Sequence, residues 1–414
     1  MSSSGAAVGT GITEPSEVHT KNRVEILALT GLRAVAAIGV VVSHTHVPKS
    51  LPEPLSKIAA WGYVGVPLFF MLSGFVLAYN YADLSFAQPR RAVRFYIARI
   101  ARVMPLYWVM LAYCVAVYAM KNHHQYPKTF VIDLFALQTW GPDLHVAQSH
   151  YNGPGWSISA EVFFYAMFPF LAPLVAWLAR RFGLKGLAIL CLSLFGVLVI
   201  LWAVFLANGW SSVSAEEALS GHRWLYRNPL PHLVDFIVGM ALAHAFALGA
   251  KFRPAWASIT QAAVVVFALG IAALRPSPSA AWASASWGVL WIIPFGLLIL
   301  SLASGRGFFA RFLATRPLVT LGTASYALYI THRWLVYQVG GNDIVKGSGL
   351  DPYFAFFVTL AVLLVVAEGA HRYVEVPCRR WIMRLADRLL PLRPKATPAV
   401  SAPRPAEPKV PEPA

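Results

Sequence analysis

Only 13% of the 414 residues are charged while 57% are hydrophobic, about half the charge of a soluble protein at a mean hydropathy of +0.58. That balance excludes a water-soluble enzyme, and also a nucleic-acid binder, which the net charge of +16 would otherwise suggest. Cys114, Cys191 and Cys378 are too scattered for a zinc site or a disulfide framework.

Residues 1–22 are rich in Ser, Gly and Thr and lack the basic-then-apolar order of a signal peptide, and 1–25 are expected to be a disordered cytoplasmic N-terminus. Hydropathy then predicts about ten transmembrane helices, over 26–47, 61–80, 103–120, 156–178, 186–207, 231–249, 256–274, 287–303, 317–338 and 354–374. No connection between them is long enough for a soluble domain. Past residue 380, the amphipathic piece WIMRLADRLL leads into a Pro-rich tail that cannot bury a core and is expected to be disordered. Most Lys and Arg residues fall on the side shared by the two termini, so both termini are expected to be cytoplasmic. The expectation is an all-α polytopic membrane protein with its membrane domain in 26–380 and a cytoplasmic segment in 381–414.

Ionisable residues inside spans mark candidate sites. The first span carries Arg33 and His44, which a helix would separate by ~16 Å, and two ionisable groups at different depths suggest a polar path through the membrane; the alternative is that Arg33 snorkels to the near interface and His44 sits at the far one. Glu161 is expected ~7 Å and His332 ~9 Å below the outer surface, in the same layer as His44. A carboxylate beside an imidazole is a general-base pair. A His/His/Glu set could bind a metal, but no closely spaced ligand pair supports one. In PRRAVRFYIARIARVMP, Arg90, Arg91, Arg94, Arg99 and Arg102 precede the third span. Such arginines clamp phosphates or anchor the chain on anionic lipid. In 62–77, Gly62, Gly65 and Gly74 permit close helix packing, and Pro67 can open the span locally. GPGWSISAE opens the fourth span with Trp156 as an interfacial anchor and Ser157 and Ser159 as donors or caps. Tyr326, Tyr329 and His332 form a polar stripe along SYALYITHR. From the residues alone, an enzyme and a multi-span transporter both remain open.

The segments LTGLRAVAAIGVVVSH, GVPLFFMLSGFVL, RIARVMPLYW, WSISAEVFFY, DFIVGMALA, SYALYITH and VEVPCRR stand in the order found in membrane acyltransferases of the acyltransferase family 3 type. Over 26–380 the chain resembles that family, which includes O-antigen, exopolysaccharide and macrolide-sugar acylases. The resemblance implies an O-acyltransferase of the bacterial inner membrane, moving an acyl group, often acetyl, from cytoplasmic acyl-CoA to a sugar hydroxyl of a cell-surface glycan or glycosylated small molecule. It implies His44 as the essential histidine and general base, with Glu161 and His332 completing the catalytic set; an acyl-histidine intermediate is the alternative chemistry. Arg33, Arg99 and Arg102 are the expected donor contacts, and Trp156, Ser159, Tyr326 and Tyr329 the expected acceptor contacts, with no metal and no nucleic-acid partner. The connections 48–60, 121–155, 208–230 and 339–353 are expected to frame the acceptor entrance, HHQYP (123–127) and HVAQSHYNGPGW (145–156) being the richest in sugar-binding residue types. Two departures from the family pattern stand out. Asp235 occupies a position where Glu is common, and no SGNH-type esterase domain follows the spans, so no second transfer step is expected. The competing reading is a transporter or flippase of a glycolipid or small anionic substrate.

Overall fold

The computed structural model describes residues 26–45, 47–48, 50–121, 127–141, 151–274, 280–337 and 351–391. The expected disordered termini, most of the 339–353 connection, and much of HHQYP and HVAQSHYNGPGW lie outside the described residues. Those described form helices and turns, with no strand among them.

In chain order the helices are α1 (Leu27–His44), α2 (Glu53–Ala60), α3 (Gly65–Tyr81), α4 (Pro89–Met120), α5 (Pro127–Leu134) and α6 (Gly155–Ala207). They continue with α7 (Pro229–Ala247), α8 (Pro254–Leu274), α9 (Ala280–Ala285), α10 (Ile292–Ala303), α11 (Phe308–Leu313), α12 (Arg316–Thr323), α13 (Ser325–Leu335), α14 (Pro352–Ala370) and α15 (Val376–Leu389). Short π-helical turns at His222–Arg227 and His371–Glu375 precede α7 and α15. Seven described helices are long and apolar enough to cross a membrane. Large apolar side chains on α6, such as Phe170 and Leu192, are exposed, as lipid contact requires and water would not favour.

Several predicted spans change form. The fourth and fifth lie within α6, which breaks at Gly183; its φ of +58° is a left-handed conformation that costs glycine little. The third begins earlier than its apolar run, because α4 extends back to Pro89 and carries the arginines on the same helix. The ninth is interrupted at Ala324 into α12 and α13. The tenth passes through the π turn into α15, so WIMRLADRLL continues a helix that starts at Val376.

A close backbone seam joins α3 and α7. A Cβ built on Gly74 would lie 2.0 Å from the carbonyl oxygen of Phe236, and one on Gly239 2.0 Å from that of Met71. Only hydrogen fits at either position, so the two backbones interlock as the sequence expectation for Gly74 required. Around this seam the fully buried Phe75, Phe164, Phe168, Phe236, Met71 and Met240 form the centre of the core. Phe164 stacks on Phe236 with ring centres 5.2 Å apart, tying α6 to the pair. Against this block α1 packs on α3, α12 and α13, which places Arg33 and His44 beside the interrupted helix.

Candidate active site

Three cavities lie in series along α1. The first, of about 580 Å³, is lined by His44 and His332; the second, of about 760 Å³, by Arg33, Arg102, Arg379 and Arg380. A narrow neck of about 70 Å³ lies between them, sharing Val66 and Tyr329 with the histidine cavity and Arg33, Leu72, Val76 and Arg102 with the arginine cavity. Each π turn lines one of the large cavities: His222, Tyr226 and Arg227 the first, His371 and Glu375 the second. Irregular helical turns of this kind free backbone and re-aim side chains where a cavity needs them.

At the histidine end, α1 and α13 bring two imidazoles together with ring centres 5.0 Å apart. His44 Nδ1 bonds the Val40 carbonyl at 2.9 Å, and His332 Nδ1 bonds that of Tyr329 at 2.5 Å. A carbonyl can only accept, so Nδ1 carries the proton on both rings and Nε2 of a neutral ring is left as a base. His332 Nε2 is buried with no hydrogen-bond partner. Tyr329 closes this end, its hydroxyl 2.6 Å from the Ser157 hydroxyl. The wall formed by the first π turn is pinned by His232, which spans the Asp235 carboxylate and the Tyr226 carbonyl, each at 2.8 Å. Asp235, the departure from the family pattern, is the anchor of that strut.

The structure separates Glu161 from the histidines. Its carboxylate accepts from Tyr165 and, at 3.3 Å, from Ser73, and it lines the neck with Arg33, Arg99 and Arg102. The charge that acts on His44 is that of Arg333, and those that act on His332 are His44 and Arg333. The expected common layer fails because it takes Trp156 as an interfacial anchor. Trp156 is buried, packed against Tyr226 with ring centres 4.8 Å apart, so α6 starts inside the protein and Glu161 sits deeper than a count from the surface gives. The His/His/Glu metal alternative loses its third ligand with this separation, and among the described residues no three potential ligands converge.

Ser159 is also displaced from its expected role. It accepts from the Thr139 backbone N–H at 3.1 Å and lies 2.9 Å from the Thr139 hydroxyl, fastening the turn after α5 to α6, and it lines none of the three cavities. Residues two apart on a helix point to nearly opposite sides, whereas Ser157 and Glu161, four apart, share the face on the neck. Of the other expected acceptor contacts, Trp156 lines the histidine cavity, Tyr329 lines both that cavity and the neck, and Tyr326 lines the neck. The Tyr326 hydroxyl is committed to the Val103 carbonyl at 2.6 Å.

At the arginine end, the guanidinium of Arg99 sits over the rings of Tyr81, Phe95 and Tyr165 at 5.7, 5.7 and 5.9 Å. The Nε atoms of Arg33 and Arg99 are buried without hydrogen-bond partners. Arg33 feels the charges of Arg102, Glu161 and Glu375, so cations and carboxylates alternate along this stretch. Arg379 and Arg380 arrive on α15, which Arg94 fastens to α4 through Asp387 at 2.6 Å and the Leu390 carbonyl at 3.2 Å. Sequence reasoning assigned no role to Arg379, Arg380 or Tyr165. The VEVPCRR segment and the Glu161–Tyr165 spacing of four were the available signals.

The family profile described as an acyltransferase domain (Acyl_transf_3) matches residues 26–367. The acyltransferase MdmB of Streptomyces mycarofaciens is 29% identical over 91% of this chain and 96% of its own length. The O-acetyltransferase OatA of Staphylococcus aureus is 23% identical over 85% of this chain, and the peptidoglycan O-acetyltransferase OatA of Listeria monocytogenes 22% identical over 87%. This chain spans a little over half the length of the OatA proteins, 57% and 56%. No solved structure matches. An all-helical chain with apolar spanning helices, matched by this profile over most of its length, belongs to the acyltransferase 3 family of membrane proteins.

Proposed function

We propose that the chain is an inner-membrane O-acyltransferase that moves an acetyl or other acyl group from cytoplasmic acyl-CoA to a sugar hydroxyl, with His44 as general base. The observation that carries this reading is the series of cavities, with guanidinium groups at one end and imidazoles whose Nε2 is left as a base at the other. In this reading both termini are cytoplasmic and the arginine cavity opens to the cytoplasm. Arg102 and Arg379 hold the CoA phosphates, which planar guanidinium groups bind bidentately. The pantetheine arm, with an extended reach of roughly 20 Å, runs through the neck past Arg33 and delivers the thioester to the histidines.

There the Nε2 of His44 accepts the proton of the attacking hydroxyl as its oxygen bonds the thioester carbonyl carbon. Collapse of the tetrahedral intermediate breaks the C–S bond, and the thiolate takes the proton from the His44 imidazolium and leaves as CoA, restoring the base. Ser157 donates to the Pro154 carbonyl at 2.9 Å, so the Tyr329 hydroxyl donates to Ser157, and it serves the oxyanion only by releasing that bond. His332 holds the opposite side of the acceptor hydroxyl's path. Glu161 offsets the positive charge of Arg33 in the neck and does not orient His44.

Purified full-length protein given radiolabelled acetyl-CoA and a cell-envelope glycan extract should transfer label to the glycan, and His44→Ala, folded in the same detergent, should not. Label retained on the protein before acceptor is added would redirect the mechanism to an acyl-histidine. Absence of donor turnover by a folded wild type would overturn the reading in favour of transport.

A further inference from the structure

The two large cavities balance charge differently. In the arginine cavity, carboxylates accompany the cations: Glu375 lines the wall and bonds His371 at 2.9 Å, and Arg33 has Glu161 close by in the neck. The histidine cavity is lined by Lys121, Arg227 and Arg333, and among the described residues no Asp or Glu lines it. Arg333 forms no ion pair with any described residue, and neither does Lys121, whose ammonium sits 4.8 Å from the centre of the Tyr337 ring. These cations lie on the face opposite the arginine-rich one, where the positive-inside bias disfavours them. Clustered like charges repel, and a cavity of one sign concentrates ligands of the other.

We infer that the acceptor bound in the histidine cavity is anionic, a sugar bearing a carboxylate or a phosphate close to the hydroxyl that is acylated. This rests on the acyl-transfer reading above and names the class of its acceptor. A neutral sugar needs acceptors for its hydroxyl protons as well as donors, and side-chain carboxylates are the strongest of those. Here the charged groups are all donors. A guanidinium matches the geometry of either a carboxylate or a phosphate by two parallel hydrogen bonds. Arg333 follows His332 directly on α13 and packs beside the Gly153–Pro154 turn, where a Cβ on Gly153 would lie 3.6 Å from its Nε. An anion held there places its own sugar ring within reach of the two imidazoles. The aromatic walls, Trp156 and Trp334 among them, offer faces on which a sugar stacks. A cationic acceptor would be repelled, which makes the same residues a selectivity device.

The test uses full-length protein in nanodiscs, with quenching of tryptophan fluorescence as a binding readout that needs no turnover. The probes are methyl β-D-glucuronide, glucose 1-phosphate and neutral methyl β-D-glucoside. At low salt the glucuronide or the phosphate should bind about tenfold more tightly than the neutral glycoside, and whichever arm binds better identifies the anion. Arg333→Gln should erase that preference while keeping the weak neutral binding, which shows that the variant is folded. Arg102→Gln should leave glucuronide binding unchanged, which separates this site from the phosphate-binding end. Equal affinity for the three probes, no saturable quenching by either anion, or a preference that survives Arg333→Gln would overturn the proposal. Anion binding at this site without transfer from acetyl-CoA would instead leave the anion site standing and remove the acyl-transfer reading, and with it the ligand's role as acceptor.

Discussion

The two ends of the path hold their polar groups by different means. At the histidine end, backbone carbonyls of the same helices fix one nitrogen of each ring, at 2.9 Å for His44 and 2.5 Å for His332. The arrangement defines a tautomer and a direction, which proton transfer requires. At the arginine end, guanidinium groups rest on aromatic rings and near carboxylates, and buried Nε donors stay uncommitted. That arrangement supplies charge and unused donors, suited to gripping a polyanion. Under the proposed function the contrast becomes a division of labour: one end serves the chemical step, the other the affinity for donor.

Four variants break or sharpen that division. Gly74→Leu should break it altogether, because its side chain meets the Phe236 carbonyl and forces α3 and α7 apart. Overpacking of a backbone seam costs several kcal/mol, so a monodisperse peak on size exclusion should be lost together with donor binding and transfer. His44→Ala should lower kcat by ~10²–10⁴ with the KM for acetyl-CoA nearly unchanged; a rise in donor KM instead would merge the two ends. Arg102→Ala should do the reverse, raising the donor KM by about tenfold to a hundredfold at similar kcat, the worth of a charge-assisted phosphate contact.

The smallest effect on activity is expected from Asp133 on α5, a control outside all three cavities. Both carboxylate oxygens are buried without hydrogen-bond partners, and burial pushes the group up to about 7. With its folded value above the unfolded one, the carboxyl is tolerated while neutral. Stability is therefore lost as pH rises from about 4 through about 7. Asp133→Asn should match wild type near pH 4 and be the more stable protein at pH 8, by up to a few kcal/mol; equal melting curves at pH 8 would contradict this.

Much of the architecture was legible because hydropathy and small-residue spacing are local signals. The run 62–77 announced the glycine seam, and Arg33, Arg99 and Arg102 do gather around the neck. The pairing of His44 with His332 was legible as well, since both count correctly from helix ends on the same side. Glu161 was not, because its depth depends on a buried Trp156, a fact of tertiary packing that sequence composition does not record. Ser159 falls outside the cavities because a helix turns through about 200° in the two residues from Ser157. The division of the ninth span at Ala324 left no Pro or Gly at the break itself. The arginines of α15 escaped notice because their amphipathic helix read as an appendage, whereas the contact of Arg94 with Asp387 folds it back on α4.

That contact also has a temporal meaning. Arg102 is made early in synthesis, on α4, and waits while all the later helices are added. Arg379 and Arg380 come on the last described helix, drawn against α4 by Asp387. The wall of the arginine cavity is thus finished only when this late segment docks, so a chain interrupted before α15 would hold the paired histidines and yet, in the proposed function, lack part of its grip on the donor. The Arg94–Asp387 pair is then a clasp that closes after the histidine end already has its residues.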